Sequence, residues 1–247
     1  LFVRGARLPA RGSLQTVRLP DVRVPSGRPW KILIIGAVGA VVLSIFSGDL
    51  RLGLTNSLIM MLLCLSYVLI TGYLGQVSLA QVAFAGAAGF ILSRITMTWG
   101  IPFPLNMLIA AAGAALLGLL VAFPAFRIRG AELAIVTLAA AIAIERFVFG
   151  NPSFSPVEGN HVPPPSLLGM DLAPVVGAQL HRFEFSLLVL VVVVLMTLLC
   201  VRIFAGRSGR AFLAVRANER AAASVGVNVR LAKATGFFLS AFLAGIA

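Results

Sequence analysis

Charged side chains make up only 11% of this 247-residue chain, which has 8 acidic residues, 2 histidines and 2 cysteines. Soluble domains carry about a quarter charged residues, so a water-facing surface is excluded for most of the chain. The cysteines, Cys64 and Cys200, both sit inside apolar runs, which predicts buried thiols and excludes a disulfide framework. His161 and His181 share one polar segment and read as exposed loop residues. No grouping of His, Cys and carboxylate has metal-ligand spacing. Neither a glycine-rich phosphate loop nor a Ser-His-Asp arrangement occurs, so the chain is expected to be no enzyme, to need no cofactor and to hydrolyse no ATP itself.

What remains is apolar. The chain is 60% hydrophobic with a mean hydropathy of +1.02, the composition of an integral membrane protein. Hydropathy places candidate spans at Ile32–Ser47, Leu52–Gly72, Gln76–Arg94, Phe103–Phe126, Ala131–Phe149 and Phe185–Arg202, with another starting at Thr235. Ile32–Ser47 is the shortest complete run and fits half-insertion as well as a span. Thr235–Ala247 rises only about 20 Å as a helix, against a hydrocarbon core of roughly 30 Å; with the missing initiator Met, this predicts part of a longer polypeptide. The expected fold class is an all-α integral membrane protein, a multi-span helical bundle with a broken third span.

The formal net charge is +12. In so apolar a chain these cations set orientation and meet anionic membrane lipid, and no nucleic-acid partner is expected. If the N-terminus is cytoplasmic, only Arg51, Arg94, Arg146 and Arg182 of the 20 Lys/Arg lie at or near outer ends. The positive-inside rule then holds at every turn. Residues 1–31, rich in Arg, Pro and Gly, read as a cytoplasmic basic strap, and 32–247 as the membrane domain. The Pro-rich outer segment Gly150–Glu184 reads as an irregular lid or short re-entrant element.

Three places hold polar groups in an otherwise apolar chain. The third span opens Gly72-Tyr73-Leu74-Gly75-Gln76-Val77-Ser78 and continues through Gln81 into small residues. Glycines beside Gln and Ser allow an unwound stretch facing a cavity, where transporters place ligand contacts; equally, Gln76 and Ser78 could cap a helix at the interface. Glu145 and Arg146 lie in the outer part of their span, facing the bundle or snorkelling to the surface. Thr137 and Asn106 read as interhelical hydrogen-bonding residues. The segment Arg202–Lys233 is long, helix-forming and cationic, with Glu219 its one acid. It reads either as a docking element for a cytoplasmic partner or as an amphipathic helix on anionic lipid. Phe212, Val215, Ala222 and Val225 form its partial apolar stripe, and Gly226-Val227-Asn228 is a helix stop.

Three blocks carry a family resemblance: GYLGQVSLAQVAFAGAAGF (Gly72–Phe90), FPAFRIRGAELAIVTLAAAIAIER (Phe123–Arg146) and the stretch Gly206–Ala247. In these blocks the chain resembles the LivM-type permease subunit of branched-chain amino acid ABC transporters. The third block is similar to the loop that couples such permeases to their ATPases, with Glu219, Ala221, Ala222 and Gly226 on its pattern and Gly209 and Arg210 just upstream. The pathway candidates read from these polar positions are Gly75, Gln76, Ser78, Gln81, Thr137 and Glu145. The resemblance implies a multi-pass protein of the bacterial inner membrane, a companion LivH-type permease, two cytoplasmic ATPase subunits and an extracytoplasmic solute-binding protein. Ala80 and Gln81 depart from the family's usual Gly and His, and urea or short-chain amide permeases share the architecture, so the cargo stays open. The lead LFVRGARLPARG looks like the tail of the companion permease, as a fused polypeptide would have. The rival class is a gradient-driven secondary transporter using Glu145 and Arg146 as a relay.

Overall fold

The computed structural model describes residues 29–126, 128, 131–150, 162, 164–167, 170–173, 175–176, 179–180 and 182–247. Residues 1–28, which make up nearly all of the basic strap, lie outside the described residues, as do Arg127, Arg129, Glu158, His161 and His181.

Helix α1 (Trp30–Ile45) starts behind Pro29, whose restricted φ suits a helix entrance. Gly48, at φ +62°, turns the chain into α2 (Asp49–Tyr67), which widens into a π-helical turn over Val68–Tyr73. Residues 74–80 are not helical. Helix α3 (Gln81–Trp99) closes on the left-handed Gly100, and α4 (Leu105–Ala125) follows the Pro102-Phe103-Pro104 corner. Helix α5 (Ala131–Ile144) ends in a second π-turn, Glu145–Phe149. Beyond it, two minimal antiparallel ladders form. Strand β1 (Ser166–Leu167) pairs with β2 (Met170–Asp171), and β3 (Val175–Val176) pairs with β4 (Gln179–Leu180). Helix α6 (Phe183–Ala205) leads into α7 (Arg207–Ala217), α8 (Glu219–Ser224) and α9 (Val229–Ile246).

The fold is that of an all-α multi-span membrane protein. Five helices of the described residues are long and apolar enough to cross a bilayer: Asp49–Tyr73, Gln81–Trp99, Leu105–Pro124, Phe183–Ala205 and Val229–Ile246. Helix α1 is a shorter apolar helix. The hydropathy reading differs in places: Ala131–Phe149 is not among these five spans, the third span runs on to Trp99 rather than Arg94, and two starts move. The third span begins at Gln81, not Gln76, because the left-handed Gly75 (φ +69°) breaks the helical path. The last span begins at Val229, not Thr235, because Asn228 Oδ1 accepts from the Leu231 N–H and nucleates the helix six residues earlier. Hydropathy missed this start because Arg230 and Lys233 lie in the first turns.

Helix α9 sits centrally, packed most extensively on α4 and also on α3 and α2, while α6 holds α1 and α2. The α4–α9 seam is built from small residues. A Cβ on Gly118 would overlap the Ala241 side chain, and one on Gly245 would lie 2.9 Å from Ala114 and 3.0 Å from Ala111. Lipid tails give apolar helices no hydrophobic reason to associate, so close backbone approach supplies the packing instead. Thr55 Oγ1 donates to Ser186 Oγ at 2.8 Å, tying α2 to α6. Cys200 is buried as expected, but Cys64 faces outward from the bundle.

Candidate functional site

The polar groups of the sequence gather at one end of the bundle, where the break at residues 74–80 meets α7 and α8. The break is held by specific bonds. The Gln76 N–H donates to Ile70 O at 3.0 Å, the Leu79 N–H to Thr137 Oγ1 at 3.0 Å, and the Ala80 N–H to Ser78 Oγ at 3.4 Å. Thr137 passes its own proton to Ala134 O, so its oxygen is free to accept from the break. Gln76, Ser78, Gln81 and Thr137 are all buried. Gln81 Nε2 donates to Ser240 Oγ of α9 at 3.4 Å. Ser240 lies about 16 Å along α9 from its start, by the helical rise, so the polar path runs from the loop end into the bundle. Neither Gln76 nor Ser78 caps α3: its N-cap is Ala80, which makes no side-chain cap bond.

The basic segment folds as two helices rather than one. Asn218 divides them: its Oδ1 accepts from the N–H groups of Arg220 and Ala221 at 3.0 and 3.2 Å. An Asn directly before Glu-Arg-Ala-Ala carries this capping signal in its sequence, and it went unread. At the other end, the Val227 N–H reaches Ala222 O and the Gly226 N–H reaches Ala223 O, with Gly226 at φ +86°. That is a Schellman closure. Phe212, Val215 and Ala222 join one buried core with Leu69, Ile70, Leu74, Phe204 and Phe237. The apolar face of α7 is therefore taken up by the bundle, not by lipid. Val225 departs from the expected stripe and is 77% exposed.

The candidate coupling residues divide by face. Arg210, Ala221 and Gly226 are exposed, whereas Gly209 and Ala222 are buried. A Cβ on Gly209 would overlap the Phe204 backbone, so α7 can leave α6 at this angle only with glycine there. Glu219 Oε1 receives Lys233 Nζ at 3.0 Å, with the lysine side chain 1% and the glutamate 10% exposed. This pair joins α8 to α9. A second tie joins α7 to the break: Arg216 Nη1 donates to Gly72 O at 2.6 Å, and a Cβ on Gly75 would lie 2.8 Å from Arg216 Cγ. Tyr73 stacks on Phe204 with centroids 3.7 Å apart. Arg216, Lys233, Asn218 and Ser240 were not singled out from sequence, since nothing local names a partner that lies on another helix.

Glu145 is not part of this cluster. It opens the π-turn after α5 and is exposed, as is Arg146. The far end of that turn supports α3 instead: Phe149 stacks on Phe90 at 4.7 Å and lies over Gly86. Asn106 Nδ2 donates to Thr96 Oγ1 at 3.0 Å, linking α4 to α3. At the end away from the loop, a cavity of about 600 Å³ opens between α2, α3, α4, α6 and α9, lined by Leu62, Thr96, Asn106, Val189 and Ile246 among others.

Residues 50–247 match the family model described as "Branched-chain amino acid transport system / permease component". The high-affinity branched-chain amino acid transport system permease protein LivM of Escherichia coli (strain K12) is 28% identical over 211 residues, covering 78% of this chain and 50% of that protein. The protein of the same description from Salmonella typhimurium (strain LT2) is 27% identical over 238 residues, covering 87% of this chain and 54% of its own length. The chain thus spans about half the length of these curated relatives. No solved structure matches it.

Proposed function

This chain belongs to the family of branched-chain amino acid transport system permease components, and we propose that it is the membrane-spanning subunit of an ATP-driven importer for branched-chain or related hydrophobic amino acids. The observation that carries this reading is the family match across residues 50–247. The loop geometry supports it. Arg210, Ala221, Val225 and Gly226 form an exposed rim for two cytoplasmic ATPase subunits, above a base held by Gly209, Ala222 and the Glu219–Lys233 pair. The N-terminus and this loop face the cytoplasm of a bacterial cell, as the arginine distribution favours. A solute-binding protein delivers cargo at the opposite face, where the 600 Å³ cavity opens. A companion LivH-type permease completes the pathway, in which Gly75, Gln76, Ser78, Gln81 and Thr137 line the inner part and Glu145 stands near the outer end. The chain performs no chemistry; its task is to contact cargo differently in two states that the ATPases interconvert.

The test is purification of the full-length protein in mild detergent with its co-purifying partners, followed by reconstitution and ATP-driven uptake of leucine, urea and short-chain amides. Retained ATPase subunits, lost on Glu219→Arg substitution, with ATP-dependent leucine uptake are expected. Uptake of urea or amides in place of leucine would reassign the cargo. Uptake without any ATPase that collapses with the proton gradient would overturn the reading and turn attention to Glu145 and Arg146.

A further inference from the structure

We propose, resting on the import reading above, that the break before α3 recognises the charged end of an α-amino acid zwitterion. Gln76 Oε1 and Gln81 Oε1 accept from its ammonium group, and the uncapped first turn of α3 receives its carboxylate.

The starting observation is a pair of buried acceptors. Gln76 is 6% and Gln81 0% exposed, and among the described residues no donor reaches either Oε1. Buried carbonyl oxygens are nearly always paired, because losing water without replacement is unfavourable. Two such oxygens five residues apart, one in the non-helical break and one on the first residue of α3, mark a place where a donor-rich group is expected. The orientation of Gln81 follows from its neighbour. The one Ser240 hydroxyl proton goes to Phe237 O at 3.1 Å, so Ser240 Oγ can only accept from Gln81. The amide must therefore offer its Nε2, and its oxygen points away from that bond.

A second, independent feature supplies the opposite charge preference. Helix α3 runs 19 residues, and its N-cap, Ala80, contributes no side-chain bond. The first-turn N–H groups of an uncapped helix have no intrahelical acceptor and favour an anion. Acceptors for a cation beside donors for an anion suit a zwitterion better than urea, an amide or a fatty acid. Ala80, Phe84, Ala88 and Ala241 form an apolar packed core next to Gln81, so the surroundings are matched to cargo with an aliphatic side chain. Access to the site is linked to the loop, because Arg216 holds Gly72 O and lies against Gly75 at the start of the break.

The experiment uses the complete transporter in proteoliposomes, with leucine as cargo and 4-methylpentanoate (no ammonium) and isopentylamine (no carboxylate) as competitors. For Gln81→Leu and Gln76→Leu, leucine uptake is expected to fall at least tenfold through a raised KM. The wild-type preference for leucine over 4-methylpentanoate should be lost, while ATPase subunits still co-purify. Gln81→Glu, which keeps an acceptor oxygen, is expected to retain the preference for ammonium-bearing cargo. Leucine variants with uptake and preference within twofold of wild type would overturn the proposal. So would loss of assembly in both, since the oxygens would then serve the fold. Wild-type protein that carries no leucine at all fails the import reading instead, so the two failures are distinct.

Discussion

Replacing Lys233 with methionine removes an ammonium and keeps most of the side-chain volume. Its Nζ lies 3.0 Å from Glu219 Oε1, and the two side chains are 1% and 10% exposed. At that separation the attraction is about 5 kcal/mol at an effective dielectric of about 20. Removing one partner of a buried pair typically costs about 3–5 kcal/mol, because the remaining charge keeps its desolvation penalty. Glu219 opens α8, a helix of 6 residues packed on the bundle mainly through Ala222. The free energy that holds α8 in place is thus concentrated in this pair. Backbone hydrogen exchange over Glu219–Ser224 in the detergent-purified protein reads it directly. Lys233→Met should speed exchange there by about 10²–10⁴-fold, as 1.36 kcal/mol corresponds to a factor of ten. The double variant Glu219→Gln/Lys233→Met should recover most of that protection, since removing both charges also removes the penalty. Exchange within threefold of wild type in Lys233→Met would refute the reasoning. A double variant as fast as the single would too, by assigning the effect to lost packing.

Two further outcomes follow from the break. Gly75→Ala places a Cβ at φ +69° and 2.8 Å from Arg216 Cγ; the left-handed conformation alone costs about 1–2 kcal/mol, so the melting temperature should fall. Arg216→Ala in the same chain should not restore it, since relieving the Cγ contact also removes the bond to Gly72 O, and an unchanged melting temperature for Gly75→Ala alone would count against the conformation described. Thr137→Val conserves shape but takes the acceptor from the Leu79 N–H, with an expected loss of about 1–3 kcal/mol. Thermal unfolding in detergent should separate it from Thr137→Ser, which keeps the oxygen; equal melting of the two would show that water replaces the bond.

Hydropathy located the five helices long enough to cross a bilayer because twenty-residue apolar runs have few alternatives there, and the Gly226-Val227-Asn228 pattern marked the helix stop because a left-handed turn favours glycine. Hydropathy set the last span too late, since Lys233 reads as a solvated cation until Glu219 is seen beside it. That partner lies fourteen residues upstream, on another helix, and no local pattern pairs them. The polar stretch after Gly72 was legible as a break. Its bracing was not: Arg216 looks like any other cation of a basic loop, and its bond to Gly72 O depends on how α7 folds back on α2. Val225 was placed on an apolar stripe by assuming one continuous helix, and the Asn218 cap rotates α8 away from that register.

The seam between α4 and α9 has a mechanical consequence. Where Ala111, Ala114 and Gly118 face Ala241 and Gly245, few long side chains interlock and few rotamers must change for one helix to slip past the other. Interfaces filled with leucine or phenylalanine resist such shear until whole side chains are repacked. Helix α9 carries Lys233 near one end and Ser240 in its middle, while Phe237 and Leu243 anchor it in the core beside Leu74 and Phe204. One rigid rod thus holds both Glu219 of α8 and Gln81 at the start of α3, so the two ends of the polar path share a single mechanical element.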